Sequence, residues 1–429
     1  MPEKTPPAVH LNMNVRGLKP SATLAVNERS NALREAGRAV HKLGLGQSPF
    51  PVPEEVVQSL RDHAAEKDYL AVKGLPALRQ ALCSYLERTQ GLSFDPANIL
   101  IGPGSKELMF ILQLAYYGEL IIPSPSWVSY APQARIIGRQ LSWLPTRIET
   151  GLGVEPDSFA AACEEDPDRP RLLILNYPGN PTGMCYSDSQ LQEIADIARK
   201  YRVLLLSDEI YGGLRFDGQH KSIASYYPEG TIISTGLSKW CGAGGWRLGA
   251  FVFPPELQWL LDGMAVVSSE TFTSTSAPIQ YAAVKAFEGS PAIDRYLDDS
   301  RRVLQALGYE YARRLRDCGA ALADPQGAFY LFPNFEPVRE RFVKRGIETS
   351  AQLCEAMLEE AGVATLPGGD FGRPSNELSL RLAYVNFDGE KALAAAKDAD
   401  DINTDFLREH CSPAMDALDA MCDWLAATK

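Results

Sequence analysis

Leu172-Leu173-Ile174-Leu175-Asn176-Tyr177-Pro178-Gly179-Asn180-Pro181-Thr182-Gly183 begins with four consecutive apolar residues and then breaks into a turn rich in Asn, Pro and Gly. An apolar run without alternation predicts a short strand covered on both faces. The same punctuation recurs on either side. Downstream, Val203-Leu204-Leu205-Leu206 stops at Ser207-Asp208, Ile232-Ile233-Ser234-Thr235 at Gly236, and Ala250-Phe251-Val252-Phe253 at Pro254. Upstream, Ile99-Leu100-Ile101 gives way to Gly102-Pro103-Gly104-Ser105 and a helical run over Lys106 to Tyr117, and Leu120-Ile121-Ile122 stops at Pro123. Strand, loop and helix in this rhythm predict an α/β fold with a sheet buried between helices. In such sheets ligands gather at the carboxyl ends of the strands.

Outside this body the pattern changes. Residues 1 to about 15 read as a loose arm, and Ala22 to Arg38 as a helix. The Pro-rich turn Ser48-Pro49-Phe50-Pro51-Val52-Pro53 leads into a helix that opens on Glu54-Glu55, acids that complement its dipole. A long amphipathic helix over Ile293 to Arg316 precedes a C-terminal unit with strands inside Gly327–Phe332 and Ser379–Tyr384. The stretch Asp388 to Asp405, rich in Ala, Asp and Lys, reads as a solvated excursion before a last helix over Pro413 to Ala427.

The chain has 429 residues, 45% hydrophobic and 22% charged, which fits a globular protein of two or three packed units. Its net charge is −12, and no long basic run exists, so a nucleic-acid partner is not expected. The longest apolar runs fall far short of the roughly 20 residues that span a bilayer, so no membrane partner is expected either. Met1 to His10 carries three prolines and no apolar core, unlike a secretory or organellar leader. Eight cysteines include no C-x-x-C pair, and none of the five histidines stands in a metal-ligand motif. These features predict reduced thiols, a cytoplasmic location and no metal.

The sharpest chemical signal is Ser238-Lys239-Trp240-Cys241-Gly242-Ala243-Gly244-Gly245-Trp246-Arg247-Leu248-Gly249. Lys239 directly follows an apolar run and a turn, poor placing for a solvated face. A desolvated lysine near other cations has a lowered pKa and can form a Schiff base. Arg247, in a glycine-rich stretch, can clamp a phosphate. Asp208 ends an apolar strand; it suits an N-cap or an ion pair, and equally a carboxylate that keeps a pyridine nitrogen protonated. Tyr211 and Asn180 can each reach a phenolic oxygen, although Asn176 to Gly183 would also serve as a plain connector. Gly104-Ser105-Lys106 opens a helix, and helix N-termini bind phosphate. It lacks the G-K-[ST] ending of a nucleotide loop. Together these groups answer the needs of pyridoxal phosphate.

The four segments, in this order and spacing, resemble the class I aminotransferases, pyridoxal phosphate enzymes of fold type I, over roughly residues 15 to 388. The resemblance implies a large cofactor-binding domain with a mostly parallel central sheet (54–309) and a smaller α+β domain built from both termini (16–53 and 310–429), after an arm at 1–15. It makes Lys239 the Schiff-base lysine and the proton shuttle between Cα and C4′, with Asp208 on the pyridine nitrogen and Asn180 and Tyr211 on the phenolic oxygen. Gly104, Ser105, Lys106 and Arg247 would line the phosphate cup, Ser238 would also bind the cofactor, and Trp127 would stack on the ring. Arg381 would grip the substrate α-carboxylate, where Asn180 and Trp127 also line the substrate site, and Gly46 would admit the substrate past its backbone. Tyr69 would reach the phosphate of a neighbouring subunit, implying a homodimer.

Leu18-Lys19-Pro20-Ser21-Ala22-Thr23-Leu24-Ala25-Val26-Asn27 is similar to the start of the subgroup Ib aspartate aminotransferases. This implies Thr23 and Lys106 on a distal carboxylate, with Lys19 at a position linked to prephenate use. Aspartate with 2-oxoglutarate is the implied pair. An aromatic or prephenate aminotransferase, or a C–S lyase on the same fold, is the alternative. Three departures stand out: Gly46-Gln47-Ser48-Pro49-Phe50 replaces the family's Gly-Glu-Pro-Asp-Phe, Gly236 replaces a serine that donates to phosphate in some relatives, and the tail beyond Asn386 is longer.

Overall fold

The computed structural model describes residues 10–18 and 22–428, without the side chains of Ala22 and Thr23. The first strand, β1 (His41–Lys42), belongs to a two-stranded sheet. Seven strands then build the main sheet: β2 (Ile99–Gly102), β3 (Glu119–Ser124), β4 (Leu141–Pro145), β5 (Arg171–Asn176), β6 (Leu204–Asp208), β7 (Thr231–Gly236) and β8 (Gly249–Val252). Their order is β2-β8-β7-β6-β5-β3-β4, parallel except for β8, which runs against both neighbours. In β2, β6, β7 and β8 every residue is buried. Two apolar layers, one around Leu108, Leu206 and Phe251 and the other around Leu173, Ile194 and Leu205, cover the sheet. This is the sandwiched α/β sheet that the unalternated apolar runs predict.

Local chemistry fixes the helices between strands. Ser187 and Gln190 form a reciprocal capping box at the start of Asp188–Lys200, whose apolar stripe of Leu191, Ile194, Ala195 and Ala198 packs on the sheet. Ser290 caps the 27-residue helix Pro291–Asp317, with Pro291 in its first turn. That helix buries Val303, Leu304, Leu307 and Tyr311 in one continuous core reaching from Phe50 and Leu78 to Leu425.

The remaining strands lie beyond this helix. After β9 (Tyr330–Leu331), β10 (Val363–Ala364) pairs in parallel with β1; β11 (Leu366–Pro367) and β12 (Leu380–Ala383) join β9 in an antiparallel sheet ordered β11-β12-β9. Only two residues of the expected 327–332 strand are strand, because Ala328 takes a left-handed conformation (φ 57°) and bends the chain just before it. The helix expected to Arg38 ends at Glu35, two residues before Gly37 with its positive φ.

The solvated excursion expected at 388–405 is corrected by the fold. Gly389–Ala396 is a helix capped by Asp388, with Ala392, Leu393 and Ala396 buried, and Ile402 and Phe406 are buried after it. Arg302, from the long helix, donates to the carbonyls of Ala396 (3.0 Å) and Ala399 and so caps this helix's end. The alanines that made the stretch look featureless are small residues in close helix packing.

Candidate active site

Strands β5, β6 and β7 end side by side, with Asn176 in register with Asp208 and Asp208 with Ser234. The side chain of Asn176 ties two loops together: its amide donates to the Asp208 carbonyl (2.9 Å), and its oxygen accepts from the Asn180 backbone N–H (2.8 Å). The Asp208 carboxylate is 3% exposed and accepts from Tyr130 Oη (2.6 Å) and Ser234 Oγ (3.3 Å). Burial outweighs these bonds and pushes its pKa up to about 6. A buried carboxylate held by neutral donors alone, Tyr130, Ser234 and the Ile210 backbone N–H, would be stabilised by a cationic partner.

Lys239 lies in the loop after β7. Its Nζ donates to the Gly46 carbonyl (2.6 Å) and stands 5.5 Å from the centre of the Tyr211 ring and 5.7 Å from that of Phe329. Loss of solvent, reinforced by the charge of Arg381 and opposed by Asp208, lowers its pKa to about 8. Ser238 precedes it in the same half-buried loop.

The phosphate-sized end is walled by backbone. Gly102 pairs with Gly249, and Gly249 with Gly236, so three neighbouring strands carry glycine at one level. A Cβ on Gly249 would run into the backbone of Ser105 at the start of the helix Ser105–Ala115, and one on Gly104 (φ 98°) would run into the Arg247 guanidinium. Gly236, in place of the donor serine of some relatives, is therefore a packing necessity here: a Cβ would meet the Leu248 carbonyl. Arg247 itself holds a left-handed backbone (φ 56°), uncommon outside glycine, and donates to Gly244 O (2.8 Å). Lys106 extends over the Trp127 ring at 5.0 Å, and loss of solvent together with Arg247 lowers its pKa.

Arg381, on β12, is 2% exposed and closes the other side. It donates to Asn180 Oδ1 (3.3 Å) and to the Gly44 carbonyl, with its guanidinium 4.9 Å from the Tyr330 ring centre and 5.2 Å from that of Phe371. Gly46 faces Tyr330, and a Cβ there would collide with the phenol oxygen. Gly46→Ala is accordingly expected to cost about 1–3 kcal/mol of stability by overpacking, seen as a lower urea midpoint.

The fold thus brings Gly46, Gly104, Ser105, Lys106, Trp127, Asn180, Asp208, Tyr211, Ser238, Lys239, Arg247 and Arg381 into one neighbourhood linked by contacts and charge. Tyr69 is not among them; its side chain is 90% exposed on its own chain. Lys19 and the side chain of Thr23 lie outside the described residues. Sequence reading missed Tyr130, which holds Asp208, and Tyr330, whose hydroxyl lies 2.8 Å from that of Tyr211. A tyrosine three residues beyond Trp127 was the one available hint for Tyr130; nothing in its sequence context marks Tyr330.

A mostly parallel sheet, a half-buried lysine and a buried carboxylate at its strand ends, and a glycine-walled cup define a pyridoxal phosphate enzyme of fold type I. The model of the aminotransferase class I and II family matches residues 38–397, and the chain belongs to that family. It is 34% identical to an aspartate aminotransferase of Geobacillus stearothermophilus over 385 residues, covering 87% of this chain and 94% of that one. It is 32% identical to an aspartate/prephenate aminotransferase of Thermus thermophilus over 380 residues, covering 87% and 94% respectively. The solved aspartate aminotransferase of Thermus thermophilus with maleate superposes with a TM-score of 0.81 at 31% identity, covering 91% of this chain and 98% of that one. The chain is an aminotransferase that works with pyridoxal phosphate.

Proposed function

We propose that this enzyme moves an amino group between aspartate and 2-oxoglutarate. The observation that carries the reading is a pair of cations whose charges both bear on Lys239: Arg381, fully buried on β12, and Lys106, poised over Trp127. A dicarboxylate needs two positive groups, and a guanidinium fork suits the α-carboxylate. Relatives named as aspartate aminotransferases support the same choice.

The residues present fit the cofactor. Gly104, Ser105, Lys106, Ser238 and Arg247 would hold its phosphate at a helix N-terminus, Asp208 its ring nitrogen, Asn180 and Tyr211 its phenolic oxygen, and Trp127 its ring face. Bound there, the cofactor supplies an electron sink for the substrate Cα. Lys239 then acts as the base that takes the Cα proton, and a pKa of about 8 keeps a useful fraction neutral near pH 7. Arg381 and Asn180 orient the substrate, while the apolar rings of Phe329 and Tyr330 exclude water. The missing side chain at Gly46 lets the Tyr330 phenol lie against its backbone.

The reading extends to the assembly. A homodimer in which the exposed Tyr69 reaches the partner's phosphate would complete the cup. Residues 16–53 and 310–429 would form the smaller domain that closes on substrate over the 54–309 body. The eight cysteines are all free, which supports a cytoplasmic setting, and among the described residues no helix is long and apolar enough to cross a membrane.

A second reading, aromatic or prephenate transamination, draws on Phe332 and Phe371, in edge contact at 5.8 Å beside Arg381, and on the relative named for both substrates. Adding single amino acids to the loaded enzyme and following its visible absorbance separates the two. Aspartate and glutamate are expected to convert the band at the lowest concentrations. Conversion by aromatic amino acids alone would replace the aspartate assignment. Release of ammonia and pyruvate without a 2-oxo acid acceptor would instead mark a C–S lyase.

A further inference from the structure

Tyr330 touches three members of the site at once. Its hydroxyl lies 2.8 Å from that of Tyr211 and 3.5 Å from the Gly46 carbonyl, and its ring supports the Arg381 guanidinium at 4.9 Å. The two tyrosine rings meet edge to face, with centroids 5.6 Å apart and planes at 83°, so the contact is fixed by packing as well as by the hydrogen bond. Strand pairing sets the position: Tyr330 on β9 is in register with Ala383 on β12, two residues from Arg381. Both phenols are buried, and burial raises their pKa, so each keeps its proton.

Each hydroxyl has one proton to give. If Tyr211 spends its proton on the cofactor's phenolic oxygen, the short contact between the tyrosines can persist only with Tyr330 as donor and Tyr211 as acceptor. The alternative acceptor, Gly46 O, is at the outer limit of hydrogen-bond length and already receives Lys239 at 2.6 Å. A phenylalanine would keep a ring beside Arg381; of the buried hydroxyl's two contacts, the one to Tyr211 is the short one.

We infer that Tyr330 is a positioning residue whose hydroxyl donates to Tyr211 and thereby strengthens and aims the Tyr211 hydrogen bond to the cofactor's phenolic oxygen. The inference rests on the proposed role of Tyr211. Hydrogen bonds in series polarise one another, so an oxygen that accepts from one side donates better on the other. The charged and titratable groups facing this pair are Arg381 from β12, Asp208 from β6, Lys239 from its loop, Tyr130 beside Tyr211 and Tyr384 beside Tyr330, with Lys106 and Arg247 acting on Lys239 from the cup. None of them changes in the variants below.

The test is a pH titration of the visible absorbance of the cofactor-loaded enzyme in four forms: parent, Tyr330→Phe, Tyr211→Phe and the double variant. A donor to the phenolic oxygen favours its anionic form and holds the chromophore's proton-loss transition low. Tyr330→Phe should therefore move that transition up by about half a pH unit, and Tyr211→Phe by more. In the double variant the Tyr330 change should add nothing to the Tyr211→Phe shift, which purely structural support for Arg381 would not produce. An unmoved transition in Tyr330→Phe, or a shift of equal size in the Tyr211→Phe background, overturns the relay while leaving the assignment of Lys239 intact. Absence of any cofactor band in the parent would overturn the Lys239 assignment and the relay together.

Discussion

Lys239→Ala is expected to lower turnover by about 10⁴-fold or more, because in the proposed mechanism it deletes both the covalent anchor and the base at the Cα. The cofactor should still bind: Arg247, Ser105 and the backbone of the glycine cup are untouched. The variant should therefore retain pyridoxal phosphate that gel filtration strips more readily, and show the spectrum of the free aldehyde. The parent carries a further signature in its pH dependence. Burial and Arg381 bring the free Lys239 amine to about 8, and only the neutral amine attacks the aldehyde. Cofactor capture by the parent apoenzyme should accelerate as pH rises through about 8 and level off above it, whereas Lys239→Ala should show no such step. Stopped-flow absorbance reads both. Unchanged turnover in the variant would remove Lys239 from the mechanism.

Asp208→Ala is expected to be nearly as damaging, with kcat down by about 10³-fold and cofactor retention weakened. Among the described residues its carboxylate forms no ion pair; Tyr130, Ser234 and the Ile210 backbone N–H are neutral donors, and burial holds its pKa near 6. A positively charged pyridine nitrogen would supply the missing partner and stabilise the ionised form. The sign then follows: as pH falls through about 6, apoenzyme Asp208 takes up a proton, its charge is lost, and cofactor affinity should drop. In Asp208→Asn, which preserves the shape and an acceptor for Tyr130 but carries no charge, that acid limb should be absent and kcat should stay low. Equilibrium dialysis of the cofactor across pH and steady-state kinetics check the two parts. An Asn variant with near-parental kcat would show that the charge is dispensable.

Much of this was legible because chemistry and fold share the same punctuation. Three apolar runs that form central strands end just before residues of the candidate site or its supports: Leu172–Leu175 before Asn176, which holds the Asn180 loop, Val203–Leu206 before Ser207-Asp208, and Ile232–Thr235 before the turn to Lys239. Arg381 could be placed because its neighbours alternate as a strand. What escaped was set by distance along the chain rather than by local pattern. Tyr330 and Tyr211 are 119 residues apart, and Tyr130 and Asp208 are 78 apart, so neither pair leaves a spacing signal. The strand β4 was missed because Leu141-Ser142-Trp143-Leu144-Pro145 is half-exposed at the sheet edge and ends in proline. The 388–405 segment misled for another reason: alanine is neutral to burial in a sequence but informative in a structure, where it lets two helices approach closely.

The level row of Gly102, Gly249 and Gly236, with Gly104 across from it, has a consequence for how such an enzyme can diversify. That wall presents main chain and nothing else, so it offers no side chain to exchange and no room to add one. In the proposed reading this backbone wall of the cofactor cup is consequently insulated from the surfaces that would choose the amino acid, built from Arg381 and the residues following Gly46. Those surfaces can be rewritten for a new substrate while the wall and the lysine chemistry beside it are inherited unchanged, a modularity written into three strands by the omission of three methyl groups.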